Sequence, residues 1–460
     1  MSWTSGEVIN TTTRLRRLSG AIPTSYTIFN MNDTYYAECN IPGGTTYYDD
    51  DAATIINNAI SALSNGGTIF VRNGTYEINS SLTLNSKIHL VLEWNALIKA
   101  TSSLDTLIDA SDKSYVVIEG GKIDGNGLVT TVIDFTQSSP TVTHNKVSRS
   151  IVCGAKDTTD SCLINITGNS GFQLDQPWLD GRVGATGSTD SAHYGIILDS
   201  SGGQNTLYLG DINNFFKQAC IRLGGGTLVI IGGALEGGNG TAVNIKITST
   251  NSGPSLKVVG TWMESNTDNI LIEEGSYSPA YIDIAPSYMS AGGSGYANIR
   301  STTTTNHLEH LRIRGGTWVN TGGTYCLDVT ATTAWIDKAA FGQDINLTKF
   351  SHYAVFHAAG WGHKFNDNLI TTGKIVAAGA EYSSEIDVDN NVVLRWKDTS
   401  GTLKNVLKLG NNDETELQMY NGIIYNPKNY DASSVSGLSK VINIKINGTD
   451  YYIPAYTEYS

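Results

Sequence analysis

The sequence predicts an all-β chain wound as a parallel β-helix, entered through one α-helix and followed by a small β-rich C-terminal module. Three observations predict it. Glycine accounts for 49 of 460 residues and charged residues for only 16%, against a typical ~25%. A polar, uncharged, Gly-rich chain of this kind makes many short strands joined by tight turns. A nine-residue phrase then recurs along the chain, and a single segment carries helical periodicity.

The elements follow in order. Residues 1–44 hold a Tyr-rich passage that reads as a hairpin arm turning at Met31–Asp33. Residues 51–65 are the one convincing helix. Ala52, Ile55, Ile56, Ala59, Ile60 and Leu63 make one apolar face, Asp51 is a natural N-cap, and Gly66 a natural stop. An amphipathic helix must cover something apolar. The period changes at once afterwards, through Gly67–Val71, Gly74–Ile78 and Ile88–Glu93, which read as short strands.

The recurrent phrase is clearest in Leu228-Val-Ile-Ile-Gly-Gly-Ala-Leu-Glu236 and Leu256-Lys-Val-Val-Gly-Thr-Trp-Met-Glu264. Val116–Asp124 and Leu311–Val319 match it slot for slot, and looser copies start at Leu207, Ile282 and Ala334. From Leu207 onward the starts are 21, 28, 26, 29 and 23 residues apart. A repeat near 25 residues with several short strands is what one coil of a parallel β-helix needs. Propeller blades of ~40–45 residues and a fixed Leu/Asn framework are both missing.

The entry Asp51-Ala-Ala-Thr-Ile-Ile-Asn-Asn-Ala-Ile60, followed by Gly66–Val71 and Gly74-Thr-Tyr76, resembles the start of pectate-lyase-like β-helices. Ile118-Glu-Gly-Gly-Lys-Ile-Asp-Gly-Asn-Gly127 resembles a strand-turn phrase of the same superfamily. The resemblance covers roughly residues 45–360. It implies a right-handed helix with a helical cap, hence a β-helix domain at 45–375. The superfamily holds lyases, hydrolases, epimerases and viral tailspikes, so it implies no single activity. None of its local catalytic motifs is present. Residues 382–460 read as further hairpins, at Val392–Leu409 and Val441–Pro454, similar to the fibre-like modules that end phage and archaeal-virus tail proteins. A lone pair of hairpins is barely stable in water, so a homotrimer is expected.

Alternation within strands selects the candidate site residues. Slots 1, 3 and 8 of the phrase are apolar and point inward, so slots 2, 4, 7 and 9 point out. Slot 9 holds Asp124, Glu236, Glu264 and Ser290. Glu236 and Glu264 fall on consecutive coils, about 5 Å apart at the strand spacing. Two carboxylates that close suit a general acid beside a nucleophile or base, a Ca²⁺ site, or a plain solvated pair. Slot 7 adds Trp262 and Tyr288, whose rings suit stacking on a sugar face or cover by a loop or second chain. Slot 2 stacks Lys257, Asp283 and Arg312, either a salt ladder or a second set of catalytic candidates. Asp175, Asp180 and Arg182 read as a turn-rich loop, and His307 with His310 as a metal pair lacking a third ligand.

Charge excludes some partners. The net charge of −13 repels phosphate backbones, so nucleic-acid binding through a broad basic face is not expected. No window reaches the ~18–20 apolar residues of a membrane span, and Met1–Gly20 has no secretory apolar core. Five scattered cysteines make neither a disulfide framework nor a zinc spacing. The expectation is a tailspike-like protein, on a virion surface or extracellular, that binds and cleaves a polysaccharide. A non-catalytic adhesive β-helix and a secreted cellular lyase or hydrolase are the alternatives.

Overall fold

The computed structural model describes residues 25–139, 141–185, 192–213, 216–237, 242–250, 253–273, 275–302, 308–322, 325–337, 339–341, 344–348, 353–357, 393–397, 403–409, 415–419, 423–426, 440–446 and 449–455. The chain divides into two units, Met1–Ile375 and Val376–Ser460. The first is a parallel β-solenoid, nearly all strand.

Its first rung is a hairpin. Strands Tyr26–Met31 and Thr34–Cys39 pair antiparallel, with Met31 opposite Thr34. The two turn residues, Asn32 and Asp33, have φ of 55° and 60°. That is the left-handed two-residue geometry that matches strand twist, and Asn and Asp tolerate it best among non-glycine residues. Tyr26–Ile28 then lie parallel to Ile69–Val71, so the hairpin is built into the stack.

Helix α1 spans Ala52–Ala62. The Asp51 carboxylate accepts the backbone N–H groups of Ala53 and Thr54, as an N-cap should. Ala52, Ala53, Ile55, Ile56, Ala59 and Ile60 are buried against the first coil, at ~1.5–3 kcal/mol for each large side chain. The periodicity extended the helix to residue 65, but it ends earlier. Leu63 leaves helical dihedrals at φ −103°, ψ 49°. The Ile60 carbonyl accepts both the Leu63 N–H and Asn85 Nδ2 from the next coil, which closes the helix end.

One inward column runs through the unit as Ile69, Leu90, Ile118, Val147, Leu174, Leu207, Ile230, Val258, Ile284, Ile313 and Ile336. All are buried, so each coil closes the core of its neighbours. This register corrects one expectation. Leu207 pairs with Ile230 and therefore occupies slot 3, and the slot 1 residue of that coil is Asn205, 23 residues before Leu228. Asn205 faces inward because its Oδ1 accepts the N–H of Phe172, leaving no buried donor unpaired.

At the corner after slot 4, Gly233 has φ +63° and any side chain would collide with Leu209 and Gly210. Among the described residues no helix is long and apolar enough to cross a membrane. All five cysteines are free thiols, four of them buried.

The second unit is larger than the hairpin pair expected. Strands Val393–Lys397, Leu403–Leu409, Thr415–Met419, Ile423–Asn426, Lys440–Ile446 and Thr449–Ala455 form a six-stranded antiparallel meander.

Candidate functional site

The phrase after each corner forms a short strand, and the register of these strands fixes what meets on the outer surface. Ala234–Gly237 pairs with Trp262–Ser265, placing Glu236 beside Glu264 and Ala234 beside Trp262. Trp262–Glu264 in turn pairs with Tyr288–Ser290. Leu235, Met263 and Met289 between them are fully buried, which turns their neighbours outward. The rings of Trp262 and Tyr288 stack with centroids 4.3 Å apart and planes 28° apart. Trp262 is 43% exposed. Its Nε1–H points to Glu264 Oε2 at 3.4 Å.

The backbone beneath this row is held by a ladder that the sequence reading passed over. Asn244 Nδ2 donates to Asn269 Oδ1 at 2.6 Å, and Asn269 Nδ2 to Asn298 Oδ1 at 2.7 Å. The same amide groups donate to the carbonyls of Glu264, Ser290 and Val319, the slot 9 residues of three consecutive coils. On the Glu236 rung the position is Cys220, whose thiol lies 4.0 Å from the Glu236 carbonyl. Buried amides paired on both sides satisfy the corner carbonyls and rigidify them. A signal was present. Asn-Ile opens the strand after the corner at Asn244, Asn269 and Asn298.

Slot 9 is not uniformly outward, which corrects the reading of Asp124 and Ser290 as solvent-facing. Asp124 is only 3% exposed and accepts the Asn126 N–H. Ser290 is also buried. Burial pushes the thiol of Cys153, next in that column, well above its ordinary value, with the Asp124 carboxylate adding to the effect.

Gln173–Asp175 and Trp178–Asp180 are two strands of a coil, not a turn-rich loop. Asp180 is fully buried in slot 9, gripped through both oxygens by Arg182. Asp175 accepts from Lys146 and Ser148. The Lys146 hydrogen bond leads in holding its carboxyl below the ordinary range.

Slot 2 does stack Lys257, Asp283 and Arg312 in register, but they form no salt ladder. Asp283 is 5% exposed and takes two hydrogen bonds from Arg314 of slot 4 in the next coil. Arg312 instead lies over the ring of Trp335 at 5.4 Å. The candidate residues therefore fall in two patches, one on each side of the corner. His310 Nδ1 meets Thr333 Oγ1 at 2.6 Å, and His307 lies outside the described residues. Among the described residues no three His, Cys, Asp or Glu side chains converge as a metal-binding group.

No protein-family profile and no curated protein matches the chain. Several solved structures do resemble it. An endo-xylogalacturonan hydrolase from Aspergillus tubingensis is 15% identical over 70% of this chain and 95% of its own, with a TM-score of 0.34. The tailspike protein of an Acinetobacter phage is 10% identical over 90% and 77%, with a TM-score of 0.38. PfbA, a surface adhesin of Streptococcus pneumoniae, is 13% identical over 78% and 96%, with a TM-score of 0.29. At such values the likeness carries no argument about activity. The chain is a parallel β-solenoid on the strength of its own strand pairing.

Proposed function

We propose that the chain binds a polysaccharide along its outer face and hydrolyses it at the Glu236–Glu264 pair. One observation carries the reading: two carboxylate side chains in register on adjacent rungs, beside an exposed Trp262 stacked on a half-buried Tyr288. Indole and phenol faces suit the apolar face of a pyranose. Adjacent rungs are ~4.8 Å apart, nearer to the ~5–5.5 Å of retaining glycosidases than to the ~6.5–9.5 Å of inverting ones. One glutamic acid would protonate the glycosidic oxygen as its bond to the anomeric carbon breaks. The other carboxylate would bond to that carbon. Water, giving its proton to the first residue, would then displace the ester. The pair could alternatively contribute two ligands to a Ca²⁺, which normally takes 6–8 oxygens.

Assembly and location belong to the same proposal. A single six-stranded sheet has a face to bury and two edges, and packing against copies of itself answers both. We therefore expect a homotrimer displayed on a virion surface or outside the cell. Sedimentation equilibrium returning a 49.3 kDa monomer at micromolar concentration would refute the trimer.

The test of function is a glycan array, followed by mass spectrometry of products. Products heavier by one water indicate hydrolysis, and unsaturated sugars indicate elimination. Glu236→Gln or Glu264→Gln should lower turnover ~10²–10⁴-fold with binding kept. Unchanged turnover in both variants moves the chemistry to Lys257, Asp283 and Arg312. Tight binding by the wild type without turnover leaves an adhesive protein.

A further inference from the structure

We infer that residues 156–160 form a salt-sensitive strap, latched by ion pairs to the two coils that follow and covering an apolar strip outside the solenoid core. The inference is independent of the polysaccharide reading. The strap connects Ile151–Ala155 to Cys162–Asn165. The strip is an apolar cluster separate from the continuous core. Cys162, Tyr194, Ala219 and Val243 lie in register on four coils, with Ile197 and Leu271 packed beside them. Ile197 stands in one column with Arg222, Lys246 and Arg300, yet it is only 7% exposed, as is Tyr194. Side chains on that side stay dry only under a cover.

Two carboxylates of the loop latch it in place. Asp157 receives Lys217 Nζ and lies 3.4 Å from His193 Nε2. Arg222 Nη1 donates to Asp160 Oδ1 at 2.6 Å. His193 belongs to the coil after the loop, and Lys217 and Arg222 to the coil after that. Ala219 of the strip falls between the anchors Lys217 and Arg222, so the strap crosses the strip there. The same anchors enclose Tyr194: the Arg222 guanidinium lies 5.5 Å from its ring centre, and the His193 ring meets it edge-on at 6.5 Å. The Cys162 thiol is sealed in with them, and burial pushes its pKa up to about 12.

The closed strap is held by these side chains more than by its backbone. Its own hydrogen bonds are local, from the Thr158 N–H to the Lys156 carbonyl and from the Ser161 N–H to the Thr158 carbonyl. Two features work against closure. Asp160 takes a φ of 61°, a left-handed conformation that crowds any Cβ. Thr158 Oγ1 is buried with no hydrogen-bond partner among the described residues, and an unpaired buried hydroxyl favours a state that water can reach. Against these stand ion pairs whose carboxylates are 55% and 63% exposed. Pairs that open to water are weak one by one and are screened by salt. Ionic strength therefore sets the balance between a closed loop and one that bares Tyr194, Ile197 and the Cys162 thiol together.

The test labels the full chain with N-ethylmaleimide and reads each cysteine by peptide mass spectrometry. Cys162 reports the strap, Cys220 and Cys326 report the continuous core, and the partly exposed Cys39 gives the intrinsic rate. Raising NaCl from about 0.1 M to about 1 M shortens the screening length from ~10 Å to ~3 Å and should speed Cys162 labelling at least ~5-fold relative to Cys39. Cys220 and Cys326 should stay unlabelled throughout. Asp157→Asn combined with Asp160→Asn keeps the side-chain shapes and removes the charges. That variant should label Cys162 in low salt as fast as wild type does in high salt, and should lose the salt response. Lys217→Gln, on the far coil, should fall between the two, and it supplies the comparison if the double variant melts below wild type. Cys162 labelling that ignores salt overturns the latch. Cys162, Cys220 and Cys326 reacting in step would mean that the whole solenoid loosens, which overturns the strap. A salt response of equal size in wild type and in the double variant overturns the role of the two carboxylates.

Discussion

Slot 9 runs as one column through the solenoid, yet its carboxylates fare differently in the two halves. In the N-terminal half it reads Asp124, Cys153 and Asp180, and in the next coils Asn213, Glu236, Glu264 and Ser290. Asp124 and Asp180 are buried, whereas Glu264 is exposed. The cause is local cover. A 3-10 turn at Val183–Ala185 folds over the N-terminal coils, where its Gly184 carbonyl accepts from Lys122 of slot 7. Arg182, at the mouth of that turn, occupies the Asp180 carboxylate. Register decides which side of the wall a side chain leaves by. The connection between coils decides whether that side chain becomes part of the structure or stays available to a ligand.

The largest effect should come from uncovering the stack altogether. Ile56→Asp puts a charge on the buried face of α1, over the first coil. Burying an unpaired charge costs several kcal/mol, so soluble expression should collapse. A variant that melts like wild type would show that α1 does not close the core.

The direct contrast between the halves is smaller but sharper. Arg182→Ala strands a fully buried Asp180, and breaking such a pair costs ~3–5 kcal/mol. Glu264→Gln, in the same column of the open half, should change stability by no more than ~0.5 kcal/mol. Chemical denaturation of both variants measures the difference. Equal losses would mean that the two halves are covered alike.

The pattern explains what the sequence made legible. Apolar slots 1, 3 and 8 emerge from period-two alternation because an enclosed core accepts little else, and Leu235, Met263 and Trp318 all sit inside it. Asn205 broke the pattern because a buried amide serving the Phe172 N–H looks, in one sequence, like a turn residue. Trp178–Asp180 was hidden by Pro177 and by strands only three residues long. Asp283 follows the outward alternation and is still buried, because Arg314 reaches down from the next coil. Trp335 was overlooked beside Arg312, since Ala334 starts a loose copy of the phrase.

The Asn ladder lies under the open half and tests whether its rigidity matters there. Asn244→Ala removes the donor to the Glu264 carbonyl and to Asn269. Buried carbonyls left unpaired cost about 1–3 kcal/mol each, so denaturation midpoints should fall accordingly. If the row above depends on this support, sugar binding should weaken in Asn244→Ala at temperatures where the chain remains folded. Binding that survives intact would make the ladder a stabilising device alone.

The smallest effect probes a carboxylate of the N-terminal half that is paired but only partly covered. Lys146 Nζ lies 2.9 Å from Asp175 Oδ2, with each side chain about one-third exposed. Exposed and half-exposed pairs contribute ~0.2–1 kcal/mol, so Lys146→Met should lower stability by that much at neutral pH. The sign with pH follows from the direction of the shift. The Lys146 hydrogen bond holds the folded-state carboxyl below its ordinary value of 3.8, so its contribution is present above that value and disappears as the pH falls further. Wild type and Lys146→Met should therefore differ most near neutrality and converge below pH 3.8. Adding 1 M salt should narrow the neutral-pH gap, because screening acts on partly exposed charges. A gap that persists unchanged into acid would mean that the lysine stabilises the coil through its aliphatic stem instead.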